Sequence, residues 1–315
     1  MRVLLIAAGP DTGGQGIRIR TAFRRFRPEF DVRSVTGGRN YIAHEEDLFA
    51  MRPETIASLY EQSDVIHVRN NFDIARRIER KRRGQPKPLV IQHHGTMFRA
   101  DHRFLMAQAQ KLGAISLVST LDMLRFAPKG LEWLPSPHDL DALARVRAGA
   151  QRDPDKIIIH HSPTNRRVKD TALFEEVGDA LMAKYRHVEC RVVEQMPWKD
   201  NIALKAEADI VYDQLKLGWG NNAIEAWAMG VPVVAGIESP AARDIMIDRL
   251  GALPIVEADA TSLYDVLERL VLDPAERAAA GARGLKYARR WHDHRKVVEQ
   301  LVDVYERAAA VEAVA

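Results

Sequence analysis

The residues best suited to chemistry in this 315-residue chain fall in a few short segments. The richest is DQLKLGWGNNAIEAWAMGVPVVA, residues 213–235. A strand ends at Asp213, Gly218 and Gly220 make a flexible turn, and a helix opens with Asn221 and Asn222, whose amides and side chains can bind an anion. Glu225 lies about one turn into an otherwise apolar helix. A carboxylate is costly to bury there alone, so it requires either sugar or ribose hydroxyls or a salt bridge to a neighbouring Arg.

A second segment, SPTNRRVKDTALF, puts Arg166, Arg167 and Lys169 in a loop between a strand and a helix. Cations beside a helix N-terminus suit a diphosphate whose charge grows as it leaves a sugar. A solvated loop is the plain alternative in so arginine-rich a chain. The first glycine turn, GPDTGGQGIRI, also follows a strand and opens a helix, where free N–H groups can meet an anion. Its spacing is not the dinucleotide fingerprint: Ile19 stands where a third glycine should fall, and no acidic residue closes the strand Phe30–Val35 to hold a ribose. A tight turn is the simpler reading.

Two histidine pairs end strands, His93-His94 in LVIQHHGT and His160-His161 in IIIHHSPTN. Strand ends border the ligand crevice of an open α/β sheet, and neighbouring residues point to opposite sides, so one member of each pair should face the core. Neither pair has a third ligand at metal-site spacing, and no metal is expected. The one cysteine, Cys190, reads as a small buried hydrophobe in a reducing compartment.

These groups need a scaffold that presents strand ends, and the sequence supplies one. Apolar runs alternate with helix-period segments from the first residue, the pattern of an α/β protein with parallel strands and crossover helices. The first module reads as strand Arg2–Ala8, helix Gly14–Arg27, strand Phe30–Val35, helix Pro53–Gln62, strand Asp64–Arg69, helix Phe72–Arg83, strand Leu89–His93, helix Asp101–Gly113 and strand Ala114–Val118. Prolines at 135, 137 and 154 then surround a short helix, which predicts a linker and a boundary near Ala150. The rhythm restarts with strands Lys156–His161, Val188–Val193, Asp209–Asp213, Pro232–Ala235 and Leu253–Val256. From Asp273 onward the chain is helical, broken near Arg290–Asp293.

Composition narrows the class. With 46% hydrophobic and 28% charged residues the chain is neither disordered nor fibrous. No apolar run nears the roughly 18–20 residues of a membrane span, and MRVLLIAAG reads as one strand, so a cytoplasmic protein is expected. The net charge of +3 hides an asymmetry: residues 1–150 hold 24 Lys+Arg against 16 Asp+Glu, the remainder 22 against 27. Such a field steers an anionic partner to the first half, through Arg20, Arg24 and Arg27 on one helix face and Arg76, Arg77, Arg80, Lys81, Arg82 and Arg83 on another helix.

Taken together, GPDTGGQG, HHGT, HSPTNRRVKDT, AIEAWAMGVPVVA and the terminal WHDHRKVVEQLVDVYERA resemble the GT-B retaining glycosyltransferases, in the family 4-like group of glycogen synthases and bacterial lipid and polysaccharide glycosyltransferases. The resemblance implies two Rossmann-like domains facing across a cleft: residues 1–150 on the acceptor side, joined by a returning C-terminal helix of about 292–315, and residues 151–291 holding a nucleotide sugar. Glu225 matches the second glutamate of the family's E-x7-E motif, a ribose ligand, whereas Leu217 replaces the first, which contacts the donor sugar. Arg166 and Lys169 resemble the diphosphate-neutralising pair. Gly218, Trp219 and Gly220 match the turn that approaches the donor at Asn221 and Asn222. His94 resembles the histidine bordering the transferring sugar, and Gly13 and Gly14 the loop over the donor phosphates. The implied activity is sugar transfer from a nucleoside-diphosphate sugar, with retention and without a metal or other cofactor. The acceptor stays open among lipid, polysaccharide, protein and modified DNA, with peripheral contact at the inner membrane surface. A non-catalytic nucleotide-sugar- or polyanion-binding protein is the rival that Leu217 favours, and a nucleotide-dependent dehydrogenase is disfavoured by the glycine spacing.

Overall fold

The computed structural model describes residues 1–7, 9, 11, 13–38, 41–44, 47–49, 53–69, 87–127 and 129–312. The predicted helix Phe72–Arg83 and its cationic face lie outside the described residues. The chain forms two compact units, one of Met1–Pro137 with His294–Ala315 and one of His138–Asp293.

The first unit is built on a parallel sheet of β1 (Arg2–Ala7), β2 (Asp31–Thr36), β3 (Leu48–Phe49), β4 (Val65–Arg69), β5 (Leu89–His93), β6 (Ile115–Val118) and β7 (Glu132–Trp133), in the order β3-β2-β1-β4-β5-β6-β7. Both faces are covered, which is why its strands read as continuous apolar runs. Val3 and Leu5 pack with Ile19 and Phe23 of helix α1 (Gln15–Phe26), while Leu4 and Ile6 join Val35, Ile66, Val68 and Ile91 on the other side. Between α1 and the chain end lie α2 (Pro53–Gln62), α3 (Gly95–Lys111) and a short 3-10 turn, Leu121–Phe126. The predicted start of α3 at Asp101 is instead a kink, with φ −142° and ψ 46°, and the helix begins six residues earlier at Gly95.

The second unit carries α4 (Leu140–Ala148), β8 (Ile157–His161), α5 (Thr171–Lys184), β9 (Val188–Val192), α6 (Trp198–Lys205), β10 (Ile210–Tyr212), α7 (Asn221–Ala228), β11 (Val233–Ala235), α8 (Pro240–Leu250), β12 (Val256–Glu257), α9 (Leu263–Leu272) and α10 (Pro274–Trp291). Its sheet is parallel, in the order β12-β11-β10-β8-β9. Helix α4, which reads in sequence as part of a linker, packs on α6 and α7, so the division falls at Pro137 and His138. Helix α10 lies against α7, and the contact explains a glycine in mid-helix. A Cβ on Gly284 would sit 1.9 Å from Trp227 Cδ1, so only glycine admits the indole.

The helical tail breaks after Trp291. Helix α11 (His294–Glu312) belongs to the first unit, where Val297, Leu301, Val304 and Tyr305 complete the core beside α1. Tyr305 there stacks on Phe23, and its hydroxyl meets buried His67 Nδ1 at 2.9 Å. No helix among the described residues is long and apolar enough to cross a membrane.

Candidate functional site

In the second unit the carboxyl ends of β8 and β10 and the start of α7 converge. Asp213 directly follows β10 and is fully buried. Its Oδ1 accepts a hydrogen bond from Lys169 Nζ at 2.5 Å, and its Oδ2 accepts from Gly220 N at 2.7 Å. Burial alone would raise this carboxyl, but the ammonium of Lys169, its hydrogen bond and the Gly220 N–H hold it below the ordinary carboxylate range. Gly220 is the residue that opens α7, and a Cβ there would lie 3.9 Å from both Lys169 Nζ and Asp213 Oδ2. The ammonium therefore stands at the positive end of α7.

The surrounding groups fix this arrangement. Tyr212 OH donates to Lys169 O at 3.2 Å, and His161, with one ring nitrogen on Tyr212 O at 3.1 Å and the other on Thr171 Oγ1 at 2.9 Å, ties β8 to β10 and α5. Burial pushes His161 down to about 4 and His160 to about 3, so both are neutral structural groups. Asn222 accepts from Ser162 Oγ at 2.8 Å, while its buried Nδ2 has no hydrogen-bond partner among the described residues. An unused amide donor, an ammonium with two further N–H groups and a helix N-terminus thus share one strand end, a constellation suited to phosphate oxygens.

Three sequence expectations change at this point. Glu225 is 3% exposed, but its Oε2 pairs with buried Lys205 Nζ at 2.5 Å and its Oε1 accepts from Trp198 Nε1 at 2.8 Å. The carboxylate is satisfied by protein groups rather than by ribose hydroxyls, and the partner cation is a lysine rather than an arginine. Trp219 turns its ring inward, against Trp227 and Tyr287, with Nε1 donating to Tyr287 OH at 3.1 Å, so only its backbone is left for a ligand. Arg166 is held at the surface by Glu175 and Glu194, each at 2.5 Å, and does not join Lys169. Gly218 does serve the turn: its φ of +76° suits glycine, and its N–H donates to Gly236 O at 2.8 Å.

The first unit gathers polar groups at the ends of β1, β4 and β5. Gly14, at φ +63°, admits the His44 ring, which a Cβ would meet at 2.8 Å. The α1 amides are not open to an anion, because Asp11 already caps them: Oδ1 accepts from Gln15 N at 3.0 Å and Oδ2 from Gly16 N at 2.7 Å. Asp11 also binds buried Arg69 at 2.7 Å. Gly14 N also donates to Asp11 O at 2.8 Å, so the helix start behind the Gly13-Gly14 turn is capped from within the protein. His94 precedes α3 and meets Ser119 Oγ through Nδ1 at 2.5 Å; burial, with the charge of Arg69, pushes it down to about 3. His93 packs its ring on Phe98 and faces the core. Of the α1 arginines read as an anion-binding face, Arg20 pairs with Asp47 and Arg27 with Glu299 and Glu29, which leaves Arg24 as the exposed cation of the three without such a pair among the described residues.

Sequence reasoning missed Asp213, Lys205, Asp11 and Arg69. A carboxylate closing a strand one turn ahead of a glycine-rich helix start was the available signal for Asp213. Among the described residues no group of three or more His, Cys, Asp or Glu side chains gathers that could hold a metal ion.

With this geometry in hand, the comparisons define a fold class. No protein-family model and no curated protein sequence matches the chain. Solved structures do. Sucrose-phosphate synthase from Thermosynechococcus elongatus is 14% identical, with 99% of this chain and 100% of that one covered at a TM-score of 0.65. HepE of Anabaena, solved in complex with UDP-glucose, is 14% identical over 98% and 100% at 0.68. An alpha-glucosyltransferase, in complex with UDP and a 13-mer DNA containing a central A:G mismatch, is 12% identical over 97% and 99% at 0.67. The fold is that of the GT-B glycosyltransferases over nearly the whole chain.

Proposed function

We propose that the protein is a glycosyltransferase that moves a sugar from a nucleoside-diphosphate sugar to an acceptor hydroxyl. The observation that carries this reading is the Lys169 ammonium held at the start of α7 by Asp213, in a fold whose solved examples include UDP and UDP-glucose complexes. When the bond between the sugar's anomeric carbon and the diphosphate breaks, the electron pair moves onto the leaving phosphate. Lys169, the backbone N–H groups at the start of α7 and the side chains of Asn221 and Asn222 are suited to stabilise that charge without a metal, while the turn Gly218–Gly220 lets the phosphate approach closely. The acceptor's oxygen bonds to the anomeric carbon, and its proton passes to the departing phosphate, which gives retention when attack comes from the same face.

Acceptor recognition is assigned to the first unit, where neutral His94 on Ser119 offers a hydrogen-bonding group that carries no charge at pH 7. The excess of Lys and Arg in residues 1–150 supports an anionic acceptor or an anionic membrane surface. A panel of nucleoside diphosphates and nucleotide sugars, tested by thermal shift, checks the reading. One base is expected to raise the melting temperature by mass action, in EDTA as well as in buffer. No shift with any of them would contradict it.

A further inference from the structure

We propose that Asp213 is a positioning residue for the donor diphosphate, acting through Lys169. The inference rests on the reading that Lys169 receives the diphosphate, and it adds a carboxylate that holds that lysine. Asp213 lies four residues before Leu217, whose backbone pairs with Ile237 and whose side chain cannot hydrogen-bond a sugar. The two Asp213 oxygens bridge the two phosphate-facing elements, Lys169 in the loop after β8 and Gly220 at the start of α7.

A lysine has three ammonium hydrogens on a four-carbon stem that is free to rotate. Asp213 takes one hydrogen and fixes the stem, which leaves the other two to be aimed outward. The neighbouring Tyr212 holds the same loop through Lys169 O, so consecutive residues clamp Lys169 at its backbone and at its charge. The following residue, Asp170, adopts φ +49°, a left-handed conformation that few residues other than glycine, asparagine and aspartate accept. Lys216 Nζ secures its Oδ1 at 2.9 Å. The loop is thus held by the side chains of Tyr212, Asp213 and Lys216, and Lys169 keeps its bond to Asp213 when phosphate arrives.

The opposite physical effect is clear: a carboxylate beside a diphosphate repels it, and if that dominated, removing the charge would tighten binding. Asp213→Asn separates the two, since an asparagine oxygen can still accept from Gly220 N. Calorimetric titration with UDP, with uridine and with inorganic pyrophosphate is expected to show UDP and pyrophosphate affinity reduced about tenfold and uridine affinity unchanged. In a Lys169→Met background the same substitution is expected to cause no further loss, because its weakening effect passes through the ammonium. Tighter UDP binding in Asp213→Asn, equal loss for UDP and uridine, or an undiminished effect in the Lys169→Met background overturns the proposal. A crystal structure of the unaltered protein with UDP provides a check that does not depend on the variant folding. Lys169 Nζ is expected within hydrogen-bond distance of both Asp213 and the β-phosphate, and a lysine swung away from Asp213 overturns it. If the unaltered protein binds no nucleoside diphosphate, the donor reading itself fails; if it binds and Asp213→Asn binds equally, only the role of Asp213 fails.

Discussion

Substituting Lys205 by Met tests whether Glu225 holds the second unit together. Lys205 and Glu225 are 1% and 4% exposed at their side chains and 2.5 Å apart, so the substitution leaves a carboxylate deep in the unit without its ammonium partner, still accepting from Trp198 Nε1. Breaking a buried pair by removing one member costs about 3–5 kcal/mol, because the remaining charge is uncompensated. For a domain of about 150 residues, each kcal/mol moves the melting temperature by about 2–4 °C, so a drop of roughly 6–20 °C is expected. The double variant Lys205→Met, Glu225→Leu replaces both charges by groups of similar volume and is expected to recover most of that loss. Thermal melts of the full chain, followed by circular dichroism with and without the nucleoside diphosphate that the binding panel selects, measure both. An unchanged melting temperature in Lys205→Met, together with loss of binding of the selected nucleoside diphosphate in Glu225→Gln, would refute the reasoning and return Glu225 to the donor.

Further outcomes follow from the same contacts. Lys169→Met removes a charged hydrogen-bond donor worth about 1.5–3 kcal/mol, so affinity for the nucleoside diphosphate that the binding panel selects should fall roughly 10- to 150-fold in a calorimetric titration. It also leaves the buried Asp213 carboxylate without its ammonium, so the melting temperature should drop and should recover in Lys169→Met, Asp213→Asn. Gly284→Ala drives a methyl into the Trp227 ring and should cost about 1–3 kcal/mol or more, read as a lower urea midpoint with an unchanged slope. His160 and His94 are held near 3, and His161 and His93 near 4, against 6.5 in an unfolded chain. The unfolded state therefore binds more protons between pH 6.5 and about 4, and stability should fall as pH drops through that window. His160→Gln should reduce the slope of stability against pH by about one proton, and an unaltered slope would show that His160 is not buried neutral.

The fold was legible where the signal was local. Strands such as Leu89–His93 and Lys156–His161 read as strands because parallel sheets covered on both faces need uninterrupted apolar runs. The break between α10 and α11 was also visible, as HDH following Trp291 interrupts the helical pattern. Helices α8 and α9 were not foreseen, and the linker reading of α4 missed its packing, since prolines mark turns without saying which unit a helix joins. The site was legible as positions rather than partners. Lys169 was found from its loop, but Asp213 lies 44 residues away and meets it only because β8 and β10 are adjacent. Glu225 was recognised as needing a partner, yet Lys205 is supplied by a neighbouring helix that local spacing cannot place. Trp219 sits in a ligand-turn motif but faces the core because α10 brings Tyr287 beside it.

The central claim is that a cation held at the start of α7 supports departure of a nucleoside diphosphate from a sugar. Its most direct measurement is phosphorus NMR of the protein incubated in EDTA with the nucleotide sugar that the binding panel selects, following release of free nucleoside diphosphate over time as water takes the acceptor's place at the anomeric carbon. Release is expected with the unaltered protein and about tenfold or more slower with Lys169→Met. No release from any nucleotide sugar, or equal release by the Lys169→Met variant, would contradict the account.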